Sequence, residues 1–389
     1  MPGILSDLSF DEFYAITAPT LGEAQERRLA QLRELLDAQA DQDAEGMLKQ
    51  VASAGFLADT VPAAYGGRGE SITYGSRFLE SASEVDGSLG WLLGVQVGLH
   101  FLLPTLTSGD CAEYFNDIVH ADALLAGSHN RTGVEVEAAE GGILVSGTLQ
   151  YCSGAPISQW VSFNTSVPHP EEGSDHGCVI MVRTDTPGVR FELAPYIHTM
   201  RDSLTGIVIL ERAFIPWRQV HWYRNLNEAG NRPKGCRYYG VWQSAFLQHA
   251  VLLGTARHAL SYAIGQLRDA PPTSSSSKSL ADAMIGASAN ELLQARSIYY
   301  HRARALEDAA LAGSEFRQGS FPGHRAVVSS VASLTYSAVS RLVELLSGPV
   351  LVTANPLETC WRDIQIARAA RGSRQSIHEP AFGEFLLST

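Results

Sequence analysis

Apolar side chains change their spacing twice along this 389-residue chain, from a helical rhythm to a strand rhythm and back. Between about residues 20 and 57, Leu29, Leu32, Leu35, Leu36, Met47, Leu48 and Val51 recur near the helical period. The glycine-rich run Pro62-Ala63-Ala64-Tyr65-Gly66-Gly67-Arg68-Gly69 breaks that rhythm with a turn. Helical spacing resumes from about Ile72 to Val85 and again from Ser88 through Leu106. Beyond residue 122 the chain reads as short strands at 143–147, 160–163, 178–182 and 207–210, with a strand-like run at 123–127 before them. Turn formers such as Gly141-Gly142 and Pro187-Gly188 separate the runs. After a polar connection at about 223–237, Leu247, Val251, Leu252, Ala256, Leu260 and Ile264 restore the helical period. Residues 279–311, 323–347 and 356–371 predict three more helices, and Pro271-Pro272 with the serine tract at 274–277 predicts a mobile loop. The expected architecture is α+β: a helical domain over 1–121, a small β-domain over 122–222 and a four-helix bundle over 223–389.

Charge and cysteine usage narrow the function classes. A net charge of −12 without a long basic run argues against nucleic-acid binding. No stretch approaches the roughly 18 consecutive apolar residues of a bilayer span, and the N-terminus lacks a basic region followed by an apolar core. Five cysteines, at 111, 152, 178, 236 and 360, are odd in number and lack CxxC spacing. They predict reduced thiols in a cytoplasmic protein, with neither a disulfide framework nor a metal site. No GxGxxG lies in a βαβ setting, so the chain is not expected to oxidise NAD(P)H itself.

Five motifs recur in a fixed order: Pro62-x-x-Tyr65-Gly66-Gly67-x-Gly69, Glu84-Val85-Asp86-Gly87-Ser88, Gly142-x-x-x-x-Gly147 with Tyr151, Ser153-Gly154 and Trp160, Met200-Arg201-Asp202-Ser203-Leu204-Thr205 with Phe214-Ile215-Pro216, and Trp361-Arg362-Asp363. Together they resemble the acyl-CoA dehydrogenase superfamily over nearly the whole chain. That resemblance implies a helical–β–helical fold and a homotetramer or homodimer with flavin near the subunit interface. One position departs from it. Aligned on Pro356, Arg362-Asp363 and Gly372, the family's catalytic glutamate falls on Arg371, and an arginine cannot abstract a proton at neutral pH.

The run Tyr151-Cys152-Ser153-Gly154 is similar instead to the superfamily's two-component, reduced-flavin-dependent monooxygenases, the group D hydroxylases; the dehydrogenases usually carry aromatic-x-Thr-Asn there. The resemblance implies an enzyme that takes reduced flavin from a separate NAD(P)H:flavin reductase and reacts it with O2. It would hold the C4a-(hydro)peroxyflavin to oxygenate a small aromatic or amine-bearing substrate, with natural-product tailoring (secondary metabolism) or aromatic catabolism as the setting. Two alternatives stay open: a flavin-free relative with a non-redox or binding role, and an acyl-CoA dehydrogenase or oxidase with a relocated base, Glu358 and Glu379 being the nearby carboxylates.

The same resemblance implies the site residues. Ser153 matches the hydroxyl beside the flavin N5, and Tyr151 the aromatic near the isoalloxazine. His100, closing an apolar helix, matches a histidine close to substrate, where a neutral imidazole orients a hydroxyl or amine and accepts its proton. A second histidine usual on the last helix is missing; His378 takes that place if the segment after Gly372 folds back over the pocket, and otherwise Arg371 faces flavin or an anionic group. Ser128 and Asn130 match the loop along the pyrimidine edge, and Ser203 and Thr205 match positions close to ligands. Two features that grip an FAD adenylate are replaced, one by Arg268-Asp269-Ala270-Pro271-Pro272 and one by Ser347-Gly348-Pro349-Val350-Leu351. Glycines that let backbone approach a pyrophosphate are thereby lost, which favours FMNH2 over FADH2, or a weakly held flavin. Arg268 is the remaining phosphate partner, with the serine tract supplying hydroxyls. Trp91, Phe101, Trp242, Phe246 and Tyr299 are candidates for an aromatic pocket, against the plainer reading that they fill the core.

Overall fold

The structure is a computed structural model describing residues 9–39, 41–106, 110–128, 133–194, 197–223, 240–312, 321–351, 355–369 and 374–388. The first helices are α1 (Phe10–Ala15), α2 (Glu23–Asp37), α3 (Ala44–Ser53), α4 (Ile72–Val85), α5 (Gly87–Leu102) and α6 (Ala112–Ala121). The stretch expected to be helical over 20–57 is two helices, because Asp43 starts a new one: its carboxylate accepts from the Gly46 N–H. A single extended residue, Asp86, joins α4 to α5 and caps the latter by accepting from the Leu89 N–H at 2.7 Å.

The described residues of the β-domain form eight strands: β1 (Leu125–Ser128), β2 (Val134–Ala139), β3 (Gly142–Cys152), β4 (Trp160–Pro168), β5 (Asp175–Arg183), β6 (Val189–Leu193), β7 (Gly206–Pro216) and β8 (Val220–Trp222). They form two four-stranded sheets, ordered β1-β4-β5-β8 and β2-β3-β7-β6, with only the β1–β4 pair parallel. Their facing sides enclose a separate core that includes Ile143, Val145, Val161, Phe163, Ile180 and Val208.

The remaining helices are α7 (Gly240–Asp269), α8 (Ser275–Leu311), α9 (Phe321–Leu346), α10 (Pro356–Ile364), α11 (Ile366–Ala369) and α12 (Gln375–Ser388). The serine tract is the start of α8, which corrects its reading as a loop. Ser274 caps the helix, its Oγ accepting from the Ser277 N–H at 3.1 Å, because serine hydroxyls satisfy the orphan donors of a first turn. By length and composition α5 and the segment Gly323–Leu346 of α9 pass for bilayer spans. Instead α5 is the buried central helix, packed on α4 and α7, and α9 lies against α7, α8 and α12.

One continuous core joins the helices before and after the β-domain. Close approach makes this possible: a Cβ on Gly254 of α7 would lie 2.2 Å from the Glu80 carbonyl oxygen of α4. The Glu80 carboxylate is buried and accepts from Tyr14 at 2.5 Å, Arg296 at 2.7 Å and Tyr300 at 2.5 Å, tying α1, α4 and α8 together. Burial works against its ionisation, yet Arg296 and the two phenols outweigh it and hold the carboxyl below its usual range.

Candidate active site

The β-domain meets the helical body along α5. The Gln96 side chain bridges to the β1 backbone in both directions, donating to the Leu125 carbonyl at 2.7 Å and accepting from its N–H at 2.9 Å. Near the start of the same helix, Trp91 donates its indole N–H to the Ser153 hydroxyl at 3.1 Å. Ser153 is also 3.0 Å from the Thr205 hydroxyl, which is 2.9 Å from that of Ser203. A backbone bond from the Gly154 N–H to the Ser203 carbonyl, 2.9 Å, closes the group. Ser153 and Ser203 are buried, while Trp91 and Thr205 are half-buried.

Irregular backbone builds this cluster. A register shift in β3 between Leu149 and Cys152 puts Tyr151 at φ +59°, with 63 % of its surface exposed beside the buried hydroxyls. Ser203 and Thr205 lie on a turn whose Met200 and Leu204 both have left-handed backbone, φ +49° and +47°. Such geometry costs roughly 1–2 kcal/mol for each non-glycine residue, so the surroundings must hold it. Asp363 of α10 does so, its Oδ1 accepting from the Met200 N–H at 2.6 Å. Burial, reinforced by Asp86 and Asp202 and opposed by the Met200 bond and Arg362, pushes the Asp363 carboxyl up to about 7.

Of the residues singled out in the sequence, Tyr151, Ser153, Ser203 and Thr205 come together here. Ser128 lies alongside but turns inward: its hydroxyl is buried and donates to the Gln150 carbonyl at 2.9 Å, closing β1 onto β3 rather than facing a ligand. His100 sits nine residues beyond Trp91 on α5, about 13 Å along the helix. Its Nδ1 is 2.8 Å from the Thr60 hydroxyl, its ring packs against Tyr114 and Phe115, and its Nε2 has no hydrogen-bond partner among the described residues. Burial lowers its pKa to about 3, so it is neutral.

His378 is buried on α12, and the segment after Gly372 does fold back, but along α9. Arg268 is solvent-exposed in the last turn of α7, seventeen residues beyond Val251, which packs near Gly94 of α5; that is about 25 Å along the helix. Within one chain it cannot join the Ser153 cluster, and the hydroxyls expected to assist it instead begin α8. Asn130 and Arg371 lie outside the described residues. Phe101, Phe246 and Tyr299 are core, Phe246 stacking on Tyr299 with ring centroids 4.3 Å apart; the side chain of Trp242 is outside the description.

Two site residues escaped sequence reading. Trp91 was grouped only with the pocket aromatics, although an indole N–H drawn inside must find an acceptor. Asp363 stood only as a motif marker, and nothing in its spacing names Met200 as its partner.

Comparison with known proteins bears on the family and the fold. The acyl-CoA dehydrogenase N-terminal domain matches residues 20–111 and the acyl-CoA dehydrogenase C-terminal domain residues 246–373. The oxygenase component of the FADH(2)-dependent resorcinol hydroxylase of Rhizobium sp. (strain MTP-10005) is 24 % identical over 341 residues, 79 % of either chain. XiaF from Streptomyces sp., solved in complex with FADH2 and glycerol, has a TM-score of 0.81 at 19 % identity, covering 94 % of this chain and 97 % of its own. TdsC from Paenibacillus sp. A11-2, solved with FMN and indole, has a TM-score of 0.79 at 16 % identity over 93 % and 97 %. Two domain matches spanning more than half of the chain, joined by a middle β-domain of the same fold, establish that this protein belongs to the acyl-CoA dehydrogenase family.

Proposed function

We propose that this chain is the oxygenase component of a two-component monooxygenase, using reduced flavin from a separate reductase and O2 to oxygenate a small aromatic or amine-bearing molecule. The observation that carries the reading is the Trp91–Ser153–Thr205–Ser203 cluster beside the exposed Tyr151 ring. A planar, partly apolar heterocycle with polar ring edges fits such a place: an aromatic face to stack on and mild hydroxyls to bond its nitrogens. When bound, reduced flavin supplies the electrons that activate O2 for transfer of one oxygen atom. Tyr151 would cover the ring system, Ser153 would bond its central-ring nitrogen and Thr205 would support Ser153. None of these groups is a strong acid or base, so none drives premature proton transfer at the ring. Arginine at position 371 agrees, since dehydrogenation would need a base there. The family relatives also agree: the named Rhizobium enzyme is an FADH(2)-dependent hydroxylase.

FMN is the favoured flavin, because the glycines that would let backbone approach an FAD pyrophosphate are replaced at 268–272 and 347–351. Subunit association into a tetramer or dimer accords with exposed Tyr151, Leu193 and Phe214 on the β-domain. Cytoplasmic residence accords with Cys152, Cys178 and Cys360, buried thiols outside any disulfide.

The test is anaerobic titration with FMNH2 and FADH2, followed by exposure to 18O2 with phenol, indole and amine panels. Tighter binding of FMNH2 and one 18O atom in a product are expected. Absence of reduced-flavin binding would refute the reading.

A further inference from the structure

The hydroxyl cluster has a directional property that follows from counting protons and lone pairs. An indole N–H is a donor only, so Trp91 permanently occupies one of the two lone pairs on Ser153 Oγ. Ser153 keeps one lone pair and one proton, and Thr205 at 3.0 Å competes for whichever of them is turned inward. Three arrangements satisfy every distance, the third differing from the second only in that Thr205 donates to Ser203. In the first, Ser203 donates to Thr205 and Thr205 donates to Ser153; both lone pairs of Ser153 are then filled and its proton points outward. In the second, Ser153 donates to Thr205, which also accepts from Ser203 with its other lone pair, and Ser153 presents a lone pair outward. Thr205 is half-buried and so keeps its own proton available to water or ligand in that second state. The Ser153 hydroxyl can therefore face a ligand atom as a donor or as an acceptor, never as both.

A flavin needs this distinction. Its central-ring nitrogen, N5, accepts a hydrogen bond when the ring is oxidised and carries a hydrogen to donate when it is reduced. We infer that Trp91 and Thr205 are positioning residues that let Ser153 read the redox state of the bound flavin, Thr205 taking the Ser153 proton so that Ser153 accepts from the reduced ring. This rests on the placement of flavin beside Ser153 proposed above. Trp91 makes the coupling obligatory, because without its N–H Ser153 would have a spare lone pair and could accept from the reduced ring whatever Thr205 did. Neither residue needs to touch the reacting atoms.

The experiment measures binding rather than turnover: anaerobic titration of the full chain with reduced and oxidised FMN, giving the ratio of the two dissociation constants. Thr205→Val removes the inner acceptor while keeping side-chain shape, so Ser153 can turn a lone pair toward the reduced ring only by leaving its own proton unbonded. Its reduced-to-oxidised Kd ratio should rise about five- to tenfold, the scale of one hydrogen bond, while Thr205→Ser restores the wild-type ratio. Trp91→Phe combined with Thr205→Val should leave the ratio raised, since neither Phe nor Val gives the inward Ser153 proton an acceptor. A purely structural role would weaken both redox forms equally, and that result would overturn the inference. Should Thr205→Val fail to fold, Trp91→Phe alone decides. Its wild-type Thr205 still lets Ser153 accept, so reduced FMN should bind within about twofold of wild type, and a selective loss of the reduced form would refute the inference. Failure of the underlying placement looks different: wild-type chain would bind neither form, or Ser153→Ala would bind both as wild type does.

Discussion

Asp363 shows at the residue scale how one carboxyl serves a site it does not enter. It holds the left-handed turn that carries Ser203 and Thr205, and burial raises its pKa to about 7. A carboxyl whose folded pKa lies above its unfolded value near 3.8 stabilises the fold at low pH, and that contribution is lost as pH rises through 7. Asp363→Asn keeps an oxygen acceptor for the Met200 N–H and removes the charge. It should raise stability at pH 8 by up to about 4 kcal/mol and change it little at pH 4, read from urea unfolding at the two pH values. An equal effect at both would mean that Asp363 does not titrate between them. The role could not be read from Trp361-Arg362-Asp363, because the partner lies more than 160 positions away, on a backbone N–H that any sequence would supply.

Packing between helices sets the next scale. Periodicity located α4 at Ile72–Val85 and most of α5, α7, α8 and α9, because each buries a broad apolar face. It passed over β2, β6 and β8, which are edge strands or only three residues long, and over α12, whose apolar residues share no single face. Gly254 belongs to this scale too, standing where α7 crosses the α4 backbone. Gly254→Ala should destabilise by roughly 1–3 kcal/mol despite better helix propensity, since the new methyl meets backbone that cannot move aside. Arg296→Met should cost about 3–5 kcal/mol by stranding the Glu80 carboxylate among buried groups. Chemical denaturation checks both; a stabilised Gly254→Ala protein would mean that the helices separate freely.

Across the whole molecule, buried histidines held neutral make the fold sensitive to acid, His100 and His221 among them. Burial lowers His100 to about 3 and His221 to about 4. Each contributes stability that is complete above 6.5, the ordinary histidine value, and lost as pH falls toward the folded value. At pH 5 each should account for about 2 kcal/mol, so His100→Gln and His221→Gln should both shift the acid-unfolding midpoint downward by circular dichroism. An unmoved midpoint would mean that both rings are protonated in the native state. The order of helices, strands and helices was legible from sequence, since burial of one face imposes a period on local residues. The resemblance singled out Ser153, Thr205, Ser203 and Tyr151, and the fold then brings these residues together. What tertiary structure alone decided was the meeting of Trp91 with Ser153, of Asp363 with Met200, and the separation of His100 and Arg268 from that cluster. Those facts depend on how whole elements cross, and a hydrogen bond between elements needs only one donor and one acceptor in place, which leaves no repeating trace along the chain.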